Sequence, residues 1–242
     1  MRYKLICCEV FTREVCLCIF KSLNTIDVEF TSKSSHENPE RLRNTIQEII
    51  NKAEKADCYD AILLGFGICG NATIGISSNL LPIVIPRAHD CCTIFLGSKE
   101  KFYTYFKDNF SKEWSSVGYM ERGTSAFHET YTGKMLGLDN SYEDFVMKYG
   151  EENAKYLWET LHPESNNNEL IFIDMPEISS DLQTNALENI AKQNNKKIRI
   201  LNGNMRIIKN LIDGNWNDKD FLIVPPKIKI KATYDYDNIL TL

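Results

Sequence analysis

The sequence predicts an α/β fold built on a parallel, Rossmann-like sheet. Three observations lead to this prediction. Apolar runs of strand length recur in the first third of the chain, a helical stripe separates two of them, and the same alternation returns near the C-terminus. The first runs lie at 3–10, 25–31, 59–67 and 81–86. Alternating strands and helices of this length are typical of a parallel sheet with crossover helices.

A long crossover helix is predicted at 39–53. Asn38 suits the N-cap, Pro39 suits the first helical position, and the apolar residues fall on one stripe. That stripe consists of Leu42, Ile46, Ile49, Ile50 and Ala53. The runs at 59–67 and 81–86 are continuously apolar, which is typical of strands buried on both faces. An earlier crossover helix is predicted at 13–24.

The C-terminal part repeats this pattern, with strands predicted at 169–175, 196–203 and 220–226 and helices at 179–193 and 204–214. The chain therefore divides into three parts. We expect a thiol-bearing α/β part at 1–97, a helical, aromatic-rich insertion at 98–168, and a second α/β part at 169–242. Two α/β lobes and one mixed sheet wrapped by the insertion both fit this pattern.

Composition narrows the class of protein. The chain has 242 residues, of which 43% are hydrophobic and 25% charged, as in an ordinary folded domain. A net charge of -5 without a basic cluster argues against nucleic acid as a partner. The apolar runs are too short to cross a bilayer, and the N-terminus has no signal-peptide pattern. We therefore expect a cytoplasmic protein without a membrane partner.

All eight cysteines lie in the first 92 residues. Because we expect a cytoplasmic protein with an adequate core, reduced thiols or metal ligands are better expectations than a disulfide framework. Ligands of parallel sheets collect at the carboxyl ends of the strands. Three strand ends carry thiols or imidazole in this sequence, and the candidate metal ligands at these ends are Cys8, Cys69, His89 and Cys91.

Thiolate and imidazole are the donors that zinc prefers, and thiolates also hold iron–sulfur clusters. The alternative is that these cysteines are ordinary core residues, since free cysteine is among the most buried residue types. Cys7, Cys58 and Cys92 are expected to pack in this way. Glu9 and Asp90 are candidates for a supporting role in which they orient a ligand.

The stretch GFGICGNATIG at 65–75 is a weak match to a dinucleotide-binding loop, because no acidic residue ends a second strand at the required distance. Its backbone N–H groups can instead bind a carboxylate or phosphate. Gly67, Gly70 and Asn71 are the candidates for such an anion site. Arg87 could add a guanidinium at the next strand end, and a surface salt bridge is its alternative role.

Five blocks together resemble a known family: CEV at 8–10, NPERLR at 38–43, GFGICGNATIG at 65–75, PRAHDC at 86–91 and DGNWNDKDFLIVPP at 213–226. The chain resembles the domain-of-unknown-function family numbered 1638. That family is found largely in anaerobic prokaryotes, often beside corrinoid-dependent methyltransferase systems. The resemblance implies a setting in methyl or one-carbon metabolism, and it places the four candidate ligands at matching positions. A second thiol at Cys92 and a lengthened helical middle depart from the family pattern.

Two classes of function follow. The first is a metal-dependent methyltransferase or a component of one, because His89 and Cys91 are similar to the HxC pair of zinc enzymes that keep a substrate thiol as a thiolate. The second is a non-catalytic accessory or carrier that binds metal, corrinoid or a methyltransferase partner. The sequence lacks the DxHxxG motif that is usual in corrinoid-binding modules. An oxygen-sensitive iron–sulfur protein is a third alternative.

Overall fold

The computed structural model of the protein describes residues 1–107, 113–122, 142–161, 169–178, 181–193, 196–233 and 239–242. Three stretches of the predicted insertion, 108–112, 123–141 and 162–168, lie outside the described residues. The described residues form helices and two largely parallel sheets, which confirms the predicted α/β class.

The first part of the chain contains, in order, β1 (Arg2–Cys8), a 3-10 helix (Glu9–Phe11), α1 (Thr12–Lys21), β2 (Thr25–Thr31), a second 3-10 helix (Lys33–Glu37), α2 (Pro39–Lys55), β3 (Ala61–Gly65), β4 (Ile83–Pro86), α3 (Cys91–Leu96) and α4 (Lys99–Phe106). The described elements that follow are β5 (Trp114–Ser116), α5 (Val117–Glu121), α6 (Tyr142–Tyr149), α7 (Glu151–Leu161), β6 (Glu169–Asp174), α8 (Asp181–Gln193), β7 (Lys197–Asn202), α9 (Arg206–Asp213), β8 (Phe221–Val224), β9 (Lys231–Ala232) and β10 (Leu240–Thr241). A short antiparallel pair joins β9 and β10.

The larger sheet has the strand order β2-β1-β3-β4-β8. Its first four strands are parallel, and β8 runs antiparallel to β4. In the register of the pairs, Cys8 lies opposite Thr31, and Cys7 lies opposite Gly65. The carboxyl ends of β2, β1, β3 and β4 therefore meet at one edge of this sheet, where parallel sheets bind ligands.

The smaller sheet, β5-β6-β7, is also parallel. Its strands come from both the predicted insertion and the predicted second α/β part, whereas β8 returns to the larger sheet. The two sheets therefore do not follow the boundaries of the three segments predicted from the sequence. One apolar core spans both sheets, since Trp114 and Ile171 pack in the same cluster as Leu5 and Leu63.

Residues at the helix ends explain where α1 and α2 begin or end. In α2 the Asn38 side chain accepts a hydrogen bond from the Arg41 backbone N–H at 3.0 Å, as predicted for an N-cap, and the predicted apolar stripe is buried. Helix α1 ends at Lys21, three residues before the predicted end, because Ser22 has an extended backbone. On α1 Cys18 is buried and Cys16 is exposed. The expectation that Cys58 packs in the core is wrong, because this residue lies in the exposed connection between α2 and β3.

Candidate metal centre

Thiols from three strand ends meet at the carboxyl edge of the larger sheet. Cys8 ends β1, Cys69 lies in the turn after β3, and Cys91 begins α3 after β4. The Cys91 thiol is in hydrogen-bond contact with the thiols of Cys69 and Cys8. We call these three residues the thiol cluster. Two of its members are buried and Cys69 is partly exposed, so solvent reaches the cluster from the Cys69 side.

The environment of the cluster holds its central thiol protonated. Hydrogen bonding with Cys69 and then with Cys8, together with burial, raises the pKa of Cys91 well above its usual range. Burial and the nearby Asp90 carboxylate also raise the pKa of Cys92, where no other thiol contributes. The structure therefore distinguishes the two adjacent cysteines: one contacts other thiols and the other packs.

Backbone contacts between two loops set the position of Cys69. The Ile68 N–H donates to the Ala88 carbonyl at 3.0 Å, and the Cys69 N–H donates to the His89 carbonyl at 3.1 Å. A Cβ atom on Gly67 would lie 2.6 Å from the Ala88 carbonyl oxygen, so only glycine permits this approach. Cys69 itself has a positive φ of 47°, which is uncommon for a residue with a side chain.

Asp90 connects the cluster to the predicted histidine. Its Oδ1 accepts a hydrogen bond from the Thr93 backbone N–H at 3.1 Å and thereby caps α3. Its Oδ2 lies 3.7 Å from Nδ1 of His89, whose side chain is 63% exposed and whose ring stacks on Phe102 at 5.7 Å between centroids. Interaction with Asp90 raises the pKa of His89. Because Nδ1 faces the carboxylate, Nε2 is the nitrogen available to a ligand.

Arg87 lies at the end of β4, but its guanidinium binds backbone carbonyls. Its Nε donates to Asp218 at 2.9 Å and to Phe221 at 3.2 Å, and its Nη1 donates to Leu240. These contacts attach the end of β4 to the C-terminal segments. The guanidinium predicted to contact an anion thus binds carbonyls of the C-terminal segments, and these hydrogen bonds also take the place of the alternative salt bridge.

The remaining predicted residues lie around the cluster. The Glu9 carboxylate accepts hydrogen bonds from the Ser32 hydroxyl and the Lys33 N–H, so it points to the end of β2 and not to the thiols. Gly70 and Asn71 form an exposed turn with positive φ angles of 62° and 70° directly after Cys69. The predicted anion site at this turn stays a prediction.

Tyr119 of α5 is a buried residue near the cluster that the sequence did not single out. Burial raises the pKa of its phenol well above the usual range, and Cys91 and Cys8 raise it further. Its ring packs against Trp114 at 4.7 Å between centroids. The chain offers eleven tyrosines, and nothing in the local pattern distinguishes this one. Its position depends on the packing of α5 against the 3-10 helix Glu9–Phe11, where Gly118 lies against the Val10 backbone, and a local pattern does not encode this contact.

None of the eight cysteines forms a disulfide bond. As the side chains stand, no three or more His, Cys, Asp or Glu residues in the described part of the chain are arranged so that they could hold a metal ion. Among the same residues, no helix is both long and apolar enough to cross a membrane.

Fold and site together define an α/β protein with a buried thiol cluster at the carboxyl edge of a parallel sheet. Residues 30–212 match the model of the family described as a protein of unknown function, DUF1638. This match covers more than half of the chain, which therefore belongs to that family. The matched range contains Cys69, His89 and Cys91, and Cys8 lies outside it. Searches of curated proteins and of solved structures found no match.

Proposed function

We propose that the thiol cluster binds a thiophilic metal, either zinc or an iron–sulfur cluster, with His89 as a fourth ligand through Nε2. The observation that carries this proposal is the contact of three thiols that come from three separate strand ends. Three thiolates and one imidazole are a common ligand set for structural zinc, and thiolates are the usual ligands of iron–sulfur clusters. A fold that packs cysteines only as small apolar residues has no need to gather them at the ligand-binding edge.

The donor chemistry fits a metal, although the side chains do not form a metal site as they stand. Binding requires the three sulfurs to turn toward a common point and lose their protons. Because the pKa of Cys91 is raised, a bound cation would stabilise its thiolate form. The same raised pKa argues against unassisted thiol–disulfide exchange, because the attacking species in that reaction is the thiolate. Asp90 would orient His89 as carboxylates commonly orient metal-bound histidines.

His89 is the ligand that we expect to exchange. Its ring is 63% exposed, whereas Cys8 and Cys91 are buried. Zinc held by Cys8, Cys69 and Cys91 would supply the Lewis acidity that keeps a substrate thiol as a thiolate at neutral pH. The exposed imidazole of His89 would accept the proton of that thiol.

We further propose that this thiolate accepts a methyl group in corrinoid-linked one-carbon metabolism in the cytoplasm. The family resemblance supports this setting. In the reaction an S–CH3 bond forms and the cobalt–CH3 bond of a methylcorrinoid breaks, and both electrons of the broken bond stay on cobalt. The partner would be a corrinoid protein or its methyltransferase.

Metal analysis of anaerobically purified protein tests the site. We expect about one equivalent of zinc, or a brown iron–sulfur chromophore. Cys8→Ser, Cys69→Ser and Cys91→Ser should each lower metal affinity at least tenfold. Cys7→Ser and Cys92→Ser are matched controls, because Cys7 donates to the Gly65 carbonyl on the other face of β1 and Cys92 only packs. Equal metal content in all five variants would contradict the proposal.

The activity has a separate test, in which the metal-loaded protein is mixed with methylcob(III)alamin and 2-mercaptoethanol. We expect demethylation of the corrinoid, visible in its absorption spectrum, and loss of this rate in Cys91→Ser. Metal binding without any turnover would contradict the enzymatic role and assign the protein to the accessory or carrier class.

A further inference from the structure

Thr31 carries a buried hydroxyl that the fold does not use. The residue ends β2, is 4% exposed, and its Oγ1 has no hydrogen-bond partner within the described part of the chain. Buried hydroxyl groups without a partner are uncommon, because each one gives up its hydrogen bonds to water. A valine would fill the same volume without this penalty, so the presence of a hydroxyl group at this position requires an explanation.

The register of the sheet places this hydroxyl next to the thiol cluster. Thr31 lies directly opposite Cys8 in the parallel pair of β2 and β1. Paired residues of neighbouring strands project from the same face of a sheet, and neighbouring strands lie about 4.8 Å apart. The Thr31 side chain therefore shares its face of the sheet with the Cys8 thiol. Cys7, by the alternation along β1, projects from the opposite face.

We propose that Thr31 is a positioning residue whose hydroxyl donates a hydrogen bond to the metal-bound thiolate of Cys8. This inference rests on the proposed metal site. A neutral thiol is a weak acceptor, whereas a thiolate is a charged one and forms stronger hydrogen bonds. The threonine hydroxyl has staggered alternatives about χ1, and a change of rotamer can bring it toward the neighbouring sulfur. Oγ1 of Thr31 therefore has no hydrogen-bond partner while Cys8 is a protonated thiol. It acquires one when the sulfur of Cys8 is a metal-bound thiolate.

The role explains why a polar residue stands at this buried strand end. Partners that hydrogen-bond to metal ligands fix ligand orientation, and their removal commonly lowers metal affinity about 10- to 100-fold. A hydrogen bond to the sulfur also withdraws electron density from it. Loss of the bond should therefore shift the thiolate-to-metal charge-transfer absorption to lower energy.

The test compares Thr31→Val, Thr31→Ser and Thr25→Val as proteins loaded with Co²⁺. Thr25→Val is the control, because it removes a threonine hydroxyl at the other, exposed end of the same strand. Affinity is measured by competition with a chelator, and the charge-transfer band is recorded for each protein. Thermal unfolding of the metal-free proteins separates binding from folding.

We expect Thr31→Val to bind Co²⁺ about tenfold more weakly, with a charge-transfer band at lower energy, while its metal-free form is as stable as the wild type or more stable. Thr31→Ser should restore affinity and spectrum, and Thr25→Val should resemble the wild type. A Thr31→Val protein with the affinity and spectrum of the wild type would overturn the role of Thr31 and leave the metal site standing. A wild type that binds no metal would overturn both proposals.

Discussion

At the scale of single residues, Glu14 makes the stability of the protein depend on pH. This residue of α1 is 1% exposed, and neither of its carboxylate oxygens has a hydrogen-bond partner in the described part of the chain. Its pKa is raised to about 7, mainly by burial and to a smaller extent by the nearby Glu121, while the dipole of its own backbone N–H and the charge of Arg13 partly offset the rise. The thiols of Cys7 and Cys18 lie within electrostatic reach of the same carboxyl group.

The sign of the effect follows from proton binding. Between the unfolded pKa of about 4.5 and the folded pKa of about 7, the folded protein keeps a proton that the unfolded chain releases. Stability therefore falls as pH rises through this window, by at most roughly 3 kcal/mol. We expect Glu14→Gln to be as stable as the wild type near pH 4 and more stable at pH 8, in urea unfolding with a chelator present. A parallel pH dependence in both proteins would contradict this explanation, and Glu48→Gln on the exposed face of α2 is the control.

Gly67 gives a second prediction at the residue scale. A Cβ atom there would lie 2.6 Å from the Ala88 carbonyl oxygen and 2.9 Å from the Asp90 nitrogen, so backbone has to move. We expect Gly67→Ala to lower the free energy of unfolding by about 1–3 kcal/mol. Because the displaced loop also carries His89 and leads into Cys91, metal affinity should fall too. Unchanged stability and affinity would show that the two loops do not need this approach.

At the scale of elements, Asp90 lies between the end of β4 and α3 and makes two interactions: it caps α3, and its carboxylate faces His89. Substitutions can separate these two interactions. Asparagine can still cap the helix but lacks the charge that faces His89, whereas alanine removes both interactions. We expect Asp90→Asn to keep wild-type stability and Asp90→Ala to lose about 1 kcal/mol in chemical denaturation. Both variants should bind metal about tenfold more weakly. Full metal affinity in Asp90→Asn would show that the carboxylate does not orient the histidine.

The elements that carry the site were predictable because their signals are local. Continuous apolar runs marked β3 and β4, the capped stripe marked α2, and the rule of carboxyl ends brought together thiols that lie far apart in sequence. The uses of Arg87 and Glu9 were not predictable, because their partners come from segments distant in the chain. For the same reason, the local pattern of β8 did not show that it joins the larger sheet antiparallel to β4.

At the scale of the whole molecule, one apolar core joins the two sheets, and we expect them to unfold together. Trp114 of β5 packs on Phe95 at 6.0 Å and Trp216 packs on Tyr3 at 5.4 Å, so each reports on a different region. Variants that keep one of these two tryptophans and lack both the other and Trp158 should show fluorescence transitions in urea that coincide with the loss of circular dichroism. Distinct midpoints would indicate two independently stable lobes.

The central claim is that three strand-end cysteines bind one metal. X-ray absorption at the metal edge of the zinc-loaded protein tests it most directly, because it counts the sulfur neighbours of the ion. We predict three sulfurs at about 2.3 Å and one nitrogen at about 2.0 Å in the wild type, and the loss of one sulfur in a Cys91→Ser protein that retains metal. A first shell without sulfur, or an unchanged shell in Cys91→Ser, would contradict the account.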